Sequence, residues 1–205
     1  MHSPFATAPA STTFTSTAFA ALALLPSVAA TAETVPASPP AAIDPCSLLT
    51  AAEVSAAMGL PVEPGKRSDN GITRDGANST TCLWQVALPA GTAPDPTRSL
   101  GGRSFAILNV QNWPGGPNDA RKFLEGFRSA FAHQAISSQP VDIAIGADEA
   151  LWWGDGVAAR KNGVSIGMSV AIAGQSEGRR PKAEGLARLI VQRLGKRPGQ
   201  AADPG

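Results

Sequence analysis

Few side chains in this sequence have the type and spacing that chemistry needs. Hydrolysis by a Ser/His/Asp arrangement requires a histidine base beside its nucleophile. The chain holds two histidines, His2 near the N-terminus and His133 at the end of a Phe-rich helical pattern. A histidine at a helix C-terminus is favoured simply because its cation meets the negative end of the dipole, so His133 is read as structural. Paired carboxylates would support glycoside hydrolysis. Asp148 and Glu149 are adjacent, however, and neighbours on a strand point to opposite faces. Asp155 lies in Gly154-Asp155-Gly156 and reads as a turn residue. That glycine pair lacks the third glycine and the strand-to-helix setting of a dinucleotide site. Zinc would need three or four ligands at motif spacing, and neither an EF-hand nor a P-loop pattern occurs. No catalytic residue, metal ligand or cofactor is therefore assigned.

Aromatic side chains are the remaining candidates. Trp152 and Trp153 are neighbours, so on a strand their rings must face opposite sides of a sheet. One should enter the core with Trp84 and the Phe stripe. The other should lie beside Ser165, Gly167, Ser169 and Ala171, where a flat ring over a shallow trough makes a binding wall. A helix laid into that trough would bury the second ring instead. Trp113, in Trp113-Pro114-Gly115-Gly116-Pro117, is a third candidate, because a loop setting suggests exposure. Trp152, Trp153 and Trp113 are thus the possible ligand-binding residues.

The elements that must position these rings follow from local signals. Thr50-Ala51-Ala52-Glu53 is a capping box, and Leu48, Leu49, Val54 and Met58 form an apolar stripe ended by Gly59, which predicts a short helix. Residues 66–80 are polar and rich in Gly and Asn, and read as a surface loop. Residues 82–88 read as a strand with Cys82, Trp84, Val86 and Leu88 on one face. A loop at 89–102 and a strand at 105–111 follow. Asn118 then caps a helix whose Phe123, Phe127 and Phe131 recur at i, i+4 and i+8, a core-facing stripe. Strands are predicted at 141–145, 150–153, 157–161 and 164–172, the last two joined by the hairpin signal Asn162-Gly163. A final helix, 182–195, presents Ala183, Leu186, Ala187, Ile190 and Leu194 on one side. The order helix–strands–helix–strands–helix predicts an α+β fold, an antiparallel sheet packed with about three helices.

The 205 residues suffice for one domain with a sizeable core. A formal charge of +1 excludes a strongly cationic nucleic-acid binder and an acidic solvating protein. Seven basic residues lie between Arg179 and Arg197 against Glu184 alone; they suit a solvated face and a helix C-terminus, and would otherwise meet an anionic lipid or polymer.

Residues 1–32 contain no Asp, Glu, Lys or Arg, and an apolar block from Ala18 to Leu25 is closed by Pro26. The block is too short to span a bilayer, and Ala30-x-Ala32 fits the small-residue rule for cleavage. Residues 1–32 are read as a secretory signal, so the exported protein should begin at Glu33, secreted or periplasmic and without stable membrane insertion. Residues 33–43 read as a Pro/Ala-rich linker, 44–196 as the domain and 197–205 as a disordered tail. In an oxidising compartment the two cysteines, Cys46 and Cys82, should form one disulfide. Closing that 36-residue loop is worth roughly 4 kcal/mol on the chain-entropy model.

Asp44-Pro45-Cys46-Ser47-Leu48-Leu49-Thr50-Ala51-Ala52-Glu53-Val54, followed by Gly59 and by Cys82-Leu83-Trp84, resembles the small secreted domains of unknown function found in actinobacterial envelopes. Ala147-Asp148-Glu149-Ala150-Leu151-Trp152, the hairpin after it and the final helix are similar to their C-terminal half. The resemblance covers most of residues 44–195 and implies a PsbP-like α+β domain with no agreed catalytic residues. Many such relatives are lipoproteins, whereas this chain has no Cys at the end of its apolar block. The reading that results is a secreted or periplasmic non-catalytic binding module of the cell envelope with an unassigned ligand. Its alternatives are an accessory envelope protein that recognises only a protein partner, and a carbohydrate hydrolase.

Overall fold

The computed structural model describes residues 41–87, 103–175 and 177–196. The expected signal at 1–32, most of the linker, the 89–102 loop and the 197–205 tail lie outside the described residues. The predicted first helix is α1, Ala51–Met58. Thr50 Oγ1 accepts from Glu53 N–H at 3.2 Å and Glu53 Oε2 accepts from Thr50 N–H at 2.8 Å, which closes the capping box. Gly59 ends the helix in the left-handed region at φ 73°, where a residue without Cβ carries no steric cost.

Seven strands form one antiparallel sheet. They are β1 Lys66–Ile72, β2 Asn78–Gln85, β3 Phe105–Asn112, β4 Val141–Asp142, β5 Glu149–Trp152, β6 Gly156–Lys161 and β7 Val164–Ala171. The order is β1-β2-β3-β7-β6-β5-β4. Two meanders, β1–β3 and β4–β7, are thus joined by the central β3–β7 pair, and α2, Gly116–Ala132, carries the chain from β3 to the far edge. A third helix, α3, Arg179–Leu194, ends the order. The described residues form an α+β fold, with an antiparallel sheet, three helices and one disulfide.

Several expected boundaries move. Much of the polar segment read as a loop at 66–80 is β1 and the start of β2. Every β1 side chain is exposed, because the strand sits at the sheet edge, so it shows no apolar alternation. The strand expected over 141–145 is shorter: Val141 and Asp142 form β4, Ile143 N–H adds one bond to Ala150 O at 3.0 Å, and Ile145 is buried. Helix α2 starts at Gly116 instead of after Asn118; Pro117 occupies its first turn and Asp119 Oδ2 accepts from Gly115 N–H at 3.1 Å. Packing also reaches back to Ile43. Ile43 is buried, and its carbonyl accepts from Thr80 Oγ1 at 2.7 Å.

One sheet face carries the main core. Trp84, Leu108, Val110, Ile166 and Met168 from the strands pack with Leu48, Val54 and Met58 and with Leu186, Ile190 and Leu194 of α3. The disulfide Cys46–Cys82, Cα–Cα 5.3 Å, ties the 3-10 turn Pro45–Ser47 to β2. A Cβ at Gly65 would fall 2.5 Å from Cys82 Sγ and 2.7 Å from Trp84 Nε1. The chain entering β1 crosses the bridge only because no side chain is present there.

Polar contacts fasten α3 to α1. Lys182 Nζ donates to Ala57 O and Met58 O, each at 3.0 Å, and so caps the last carbonyls of α1. Arg193 donates to Leu48 O and to both oxygens of Glu53. The Arg193 guanidinium, and then the Thr50 N–H, hold the Glu53 carboxyl at about 2 in place of 4.5. A carboxyl lowered on folding stabilises above its unfolded pKa, and that contribution fades as pH falls from about 4.5 towards about 2. Both partners are about a third exposed, so screening reduces the pair to on the order of 1 kcal/mol. Glu53→Gln is expected to cost that much at pH 7 and distinctly less at pH 2.5, measured by urea denaturation at both pH values. Equal losses at both would count against the linkage.

Candidate binding face

The strand pleat places Trp152 and Trp153 on opposite sides. Trp152 is half-buried against the main core, and the Arg180 guanidinium sits 5.9 Å from its ring centroid. Trp153 joins the second face, stacked on Phe127 with centroids 5.4 Å apart. Trp113, for which a loop setting suggested exposure, is instead only 6% exposed, and its Nε1 donates to Ser165 Oγ at 2.6 Å. A buried indole N–H needs such a partner, and the β7 hydroxyl supplies it. This ring is no part of an accessible wall.

Helix α2 occupies the small-residue trough of the second face, but in a different rotation from the one its pattern suggested. Ala120 and Leu124 are fully buried, whereas Phe123 and Phe127 are half-buried and Phe131 is exposed. The Phe stripe therefore does not meet Trp84, which lies across the sheet. Leu124 packs with Leu151 and Ala158. A Cβ at Gly163 would come 2.9 Å from Gly116 Cα, so the hairpin glycine is what lets the helix start approach β7. A Cβ at Gly167 would lie 3.6 Å from Phe123 Cζ and 4.0 Å from Asn109 Cβ. Phe123 and Asn109 are thus neighbours over Gly167.

Helix α2 lies over β6 and β7 and reaches only the edge of β3. On the same face, the β1–β3 half of the sheet stays accessible. Register pairs Ser79 with Gln111, Thr81 with Asn109, Leu83 with Ile107 and Gln85 with Phe105. All are half-exposed except Ser79, which is buried. A β-bulge between Asp69 and Gly71 aims the Asn70 carboxamide at β2. Asn70 Nδ2 donates to Thr81 Oγ1 at 2.8 Å and to Ser79 Oγ at 3.2 Å. Asn109 Nδ2 approaches the same two hydroxyls at 3.2 Å and 3.1 Å. An uncharged amide–hydroxyl ladder crosses three strands, with Leu83, Ile107 and Phe105 beside it. No sequence motif announced this ladder.

The carboxylates have other work. Arg128 of α2 donates at 2.8 Å to both Glu149 and Asp142, and Arg160 Nε donates to Glu149 at 3.1 Å. Asp148 accepts from Lys161 Nζ at 2.9 Å and from Asn162 N–H at 2.6 Å, clasping the β6–β7 hairpin. Burial opposes ionisation of both acids, but the hydrogen bonds to Glu149 from Arg128 and Arg160, and to Asp148 from Lys161 and Asn162, outweigh it. Both carboxyls sit below their ordinary values. His133 caps the C-terminus of α2, with Nδ1 2.8 Å from Ser129 O.

Gly163-Val164-Ser165-Ile166-Gly167 has the G-x-S-x-G spacing of a nucleophile elbow. An elbow needs a strained strand-to-helix turn, whereas Ser165 is buried in mid-β7, paired with Gln111 on one side and Arg160 on the other. Its hydroxyl holds Trp113.

Most of the basic residues at the C-terminal end are engaged within the domain. Arg179 pairs with Asp155, Arg180 with Glu184, and Arg188 reaches Ala144 O, besides Lys182 and Arg193 on α1. Arg103 and Arg179 flank a hollow of about 290 Å³ at the end of β7. Among the described residues no three His, Cys, Asp or Glu side chains are grouped to hold a metal, and no helix is long and apolar enough to cross a membrane. No family model, curated protein or solved structure matches this chain.

Proposed function

We propose that this protein is a secreted or periplasmic, non-catalytic binding module of the cell envelope, which holds its ligand on the β1–β3 half of the face that α2 shares. The observation that carries this reading is the accessible ladder of Asn70, Thr81 and Asn109 beside half-exposed Leu83 and Ile107. The Asp44–Val54 opening, which resembles small envelope domains, and the apolar leader support the compartment. Catalysis by paired carboxylates would need one acid with a raised pKa, and Asp148 and Glu149 are both lowered.

A second reading, recognition of a protein partner only, draws on Phe131, 37% exposed, and Val141, 48% exposed. The Arg128–Asp142 bond sets that end of α2 beside β4. The experiment is fractionation of the native host expressing wild type, Ile107→Asp or the pair Phe131→Ser, Val141→Ser, each checked for an unchanged melting temperature. Loss of envelope retention with Ile107→Asp alone supports the face; loss with the pair alone transfers the role to the α2–β4 edge. Retention unaffected by either variant, or no retention of wild type, refutes the proposal.

A further inference from the structure

Resting on that reading, we infer that the ligand of the β1–β3 face is a neutral glycan chain laid across the strands. The first argument is charge. Lys66 at the outer edge is paired with Glu63 at 3.2 Å, and the Arg128–Glu149–Arg160 group belongs to the other end of the sheet under α2. Between them the accessible side chains at the paired strand positions are hydroxyls, carboxamides and hydrocarbon, and the cation Arg103 lies beyond Phe105 at the end of the face. A polyanion is recruited by clustered cations, and the cations of α3 are on the opposite layer and engaged there.

The second argument is the pattern. Ser68, Thr81 and Asn109 make one row running across the strands, into which the bulged Asn70 reaches with its carboxamide, and Lys66, Leu83 and Ile107 make the next. Strands repeat at about 4.8 Å across such a row, so each row is nearly continuous. A pyranose has an apolar ring face and a rim of hydroxyls. A chain of them lying along the rows rests its ring faces on Leu83 and Ile107 and turns its hydroxyls to the amide row. Carboxamides and hydroxyls both donate and accept, as sugar hydroxyls do. The amide hydrogens of Asn109 are taken up by Ser79, Thr81 and Thr80 O, so the polar edge of the ladder is fixed in place. The ladder is held by its own bonds before any ligand arrives, so little side-chain ordering is needed on binding. Phe123, over Gly167 beside Asn109, ends the row with an aromatic edge.

The test is co-sedimentation of the exported protein with insoluble chitin, cellulose and α-glucan, with soluble dextran sulfate as the charged probe. Wild type should be retained by at least one neutral polymer, with retention unchanged up to about 0.5 M salt, where charge attraction is screened. Asn109→Ala and Ile107→Ala should each weaken retention about tenfold or more without changing the melting temperature, as loss of a central contact does. Thr81→Ala serves in the same role if either fails to fold. The inference is overturned if no neutral polymer retains the protein, if only dextran sulfate binds and salt removes it, or if the substitutions leave retention unchanged. Should Ile107→Asp abolish envelope retention while no neutral polymer binds, the face still stands as the binding surface and the glycan alone falls.

Discussion

Replacing Cys46 and Cys82 together by alanine is expected to lower the free energy of unfolding by about 4 kcal/mol. The bridge spans a separation of 36 residues, so its loss returns a large loop to the unfolded ensemble. It also opens space beneath Gly65 and beside Trp84, since Cys82 is fully buried. Both contributions act in the same direction. Urea denaturation with and without reductant is the measurement. Reduced wild type should approach the variant, and the variant should be insensitive to reductant. A loss below about 1 kcal/mol would mean that the sheet holds the 3-10 turn without the bridge.

Leu124→Ala should cost about 2–5 kcal/mol, the range for a buried leucine whose site collapses incompletely. Leu124 is 0% exposed and packs with Leu151 and Ala158 in a cluster separate from the main core. The damage should therefore be local. Amide protection should fall along α2 while α1 and α3 keep theirs, and the near-UV signal of the Phe127–Trp153 stack should weaken. Phe131→Ser, seven residues further along the helix, should change stability by less than about 0.5 kcal/mol, because that ring is exposed. Equal costs at the two positions would contradict the observed rotation of the helix. The experiment also bears on the proposed binding face, whose aromatic edge is Phe123 on the same helix.

Sequence alone determined the features whose causes lie within a few residues. Thr50 and Glu53 are three apart and bond each other, so the start of α1 was legible. Alternation through Val164, Ile166, Met168 and Val170 declared β7, and Asn162-Gly163 declared its hairpin with β6. Pleating alone sent Trp152 and Trp153 to opposite faces. The disulfide followed from two cysteines and the expectation of an oxidising compartment.

Tertiary structure decided what depends on partners far along the chain. Strand β1 has no periodicity because an edge strand exposes both faces; only pairing with β2 makes it a strand. Helix α2 has two apolar flanks, Ala120–Leu124 and the Phe stripe, and the close approach at Gly163 together with the small floor at Ala158 selected the first, leaving Phe123 at the rim over Gly167. Trp113 entered the core because Ser165, 52 residues away, could take its N–H. The candidate site belongs to the same class. Its ladder joins Asn70, Thr81 and Asn109, and Asn109 stands 28 residues from Thr81. Propensity and periodicity act over one or two turns of chain, whereas register and helix rotation are set by which distant surfaces fit without voids or unpaired polar groups.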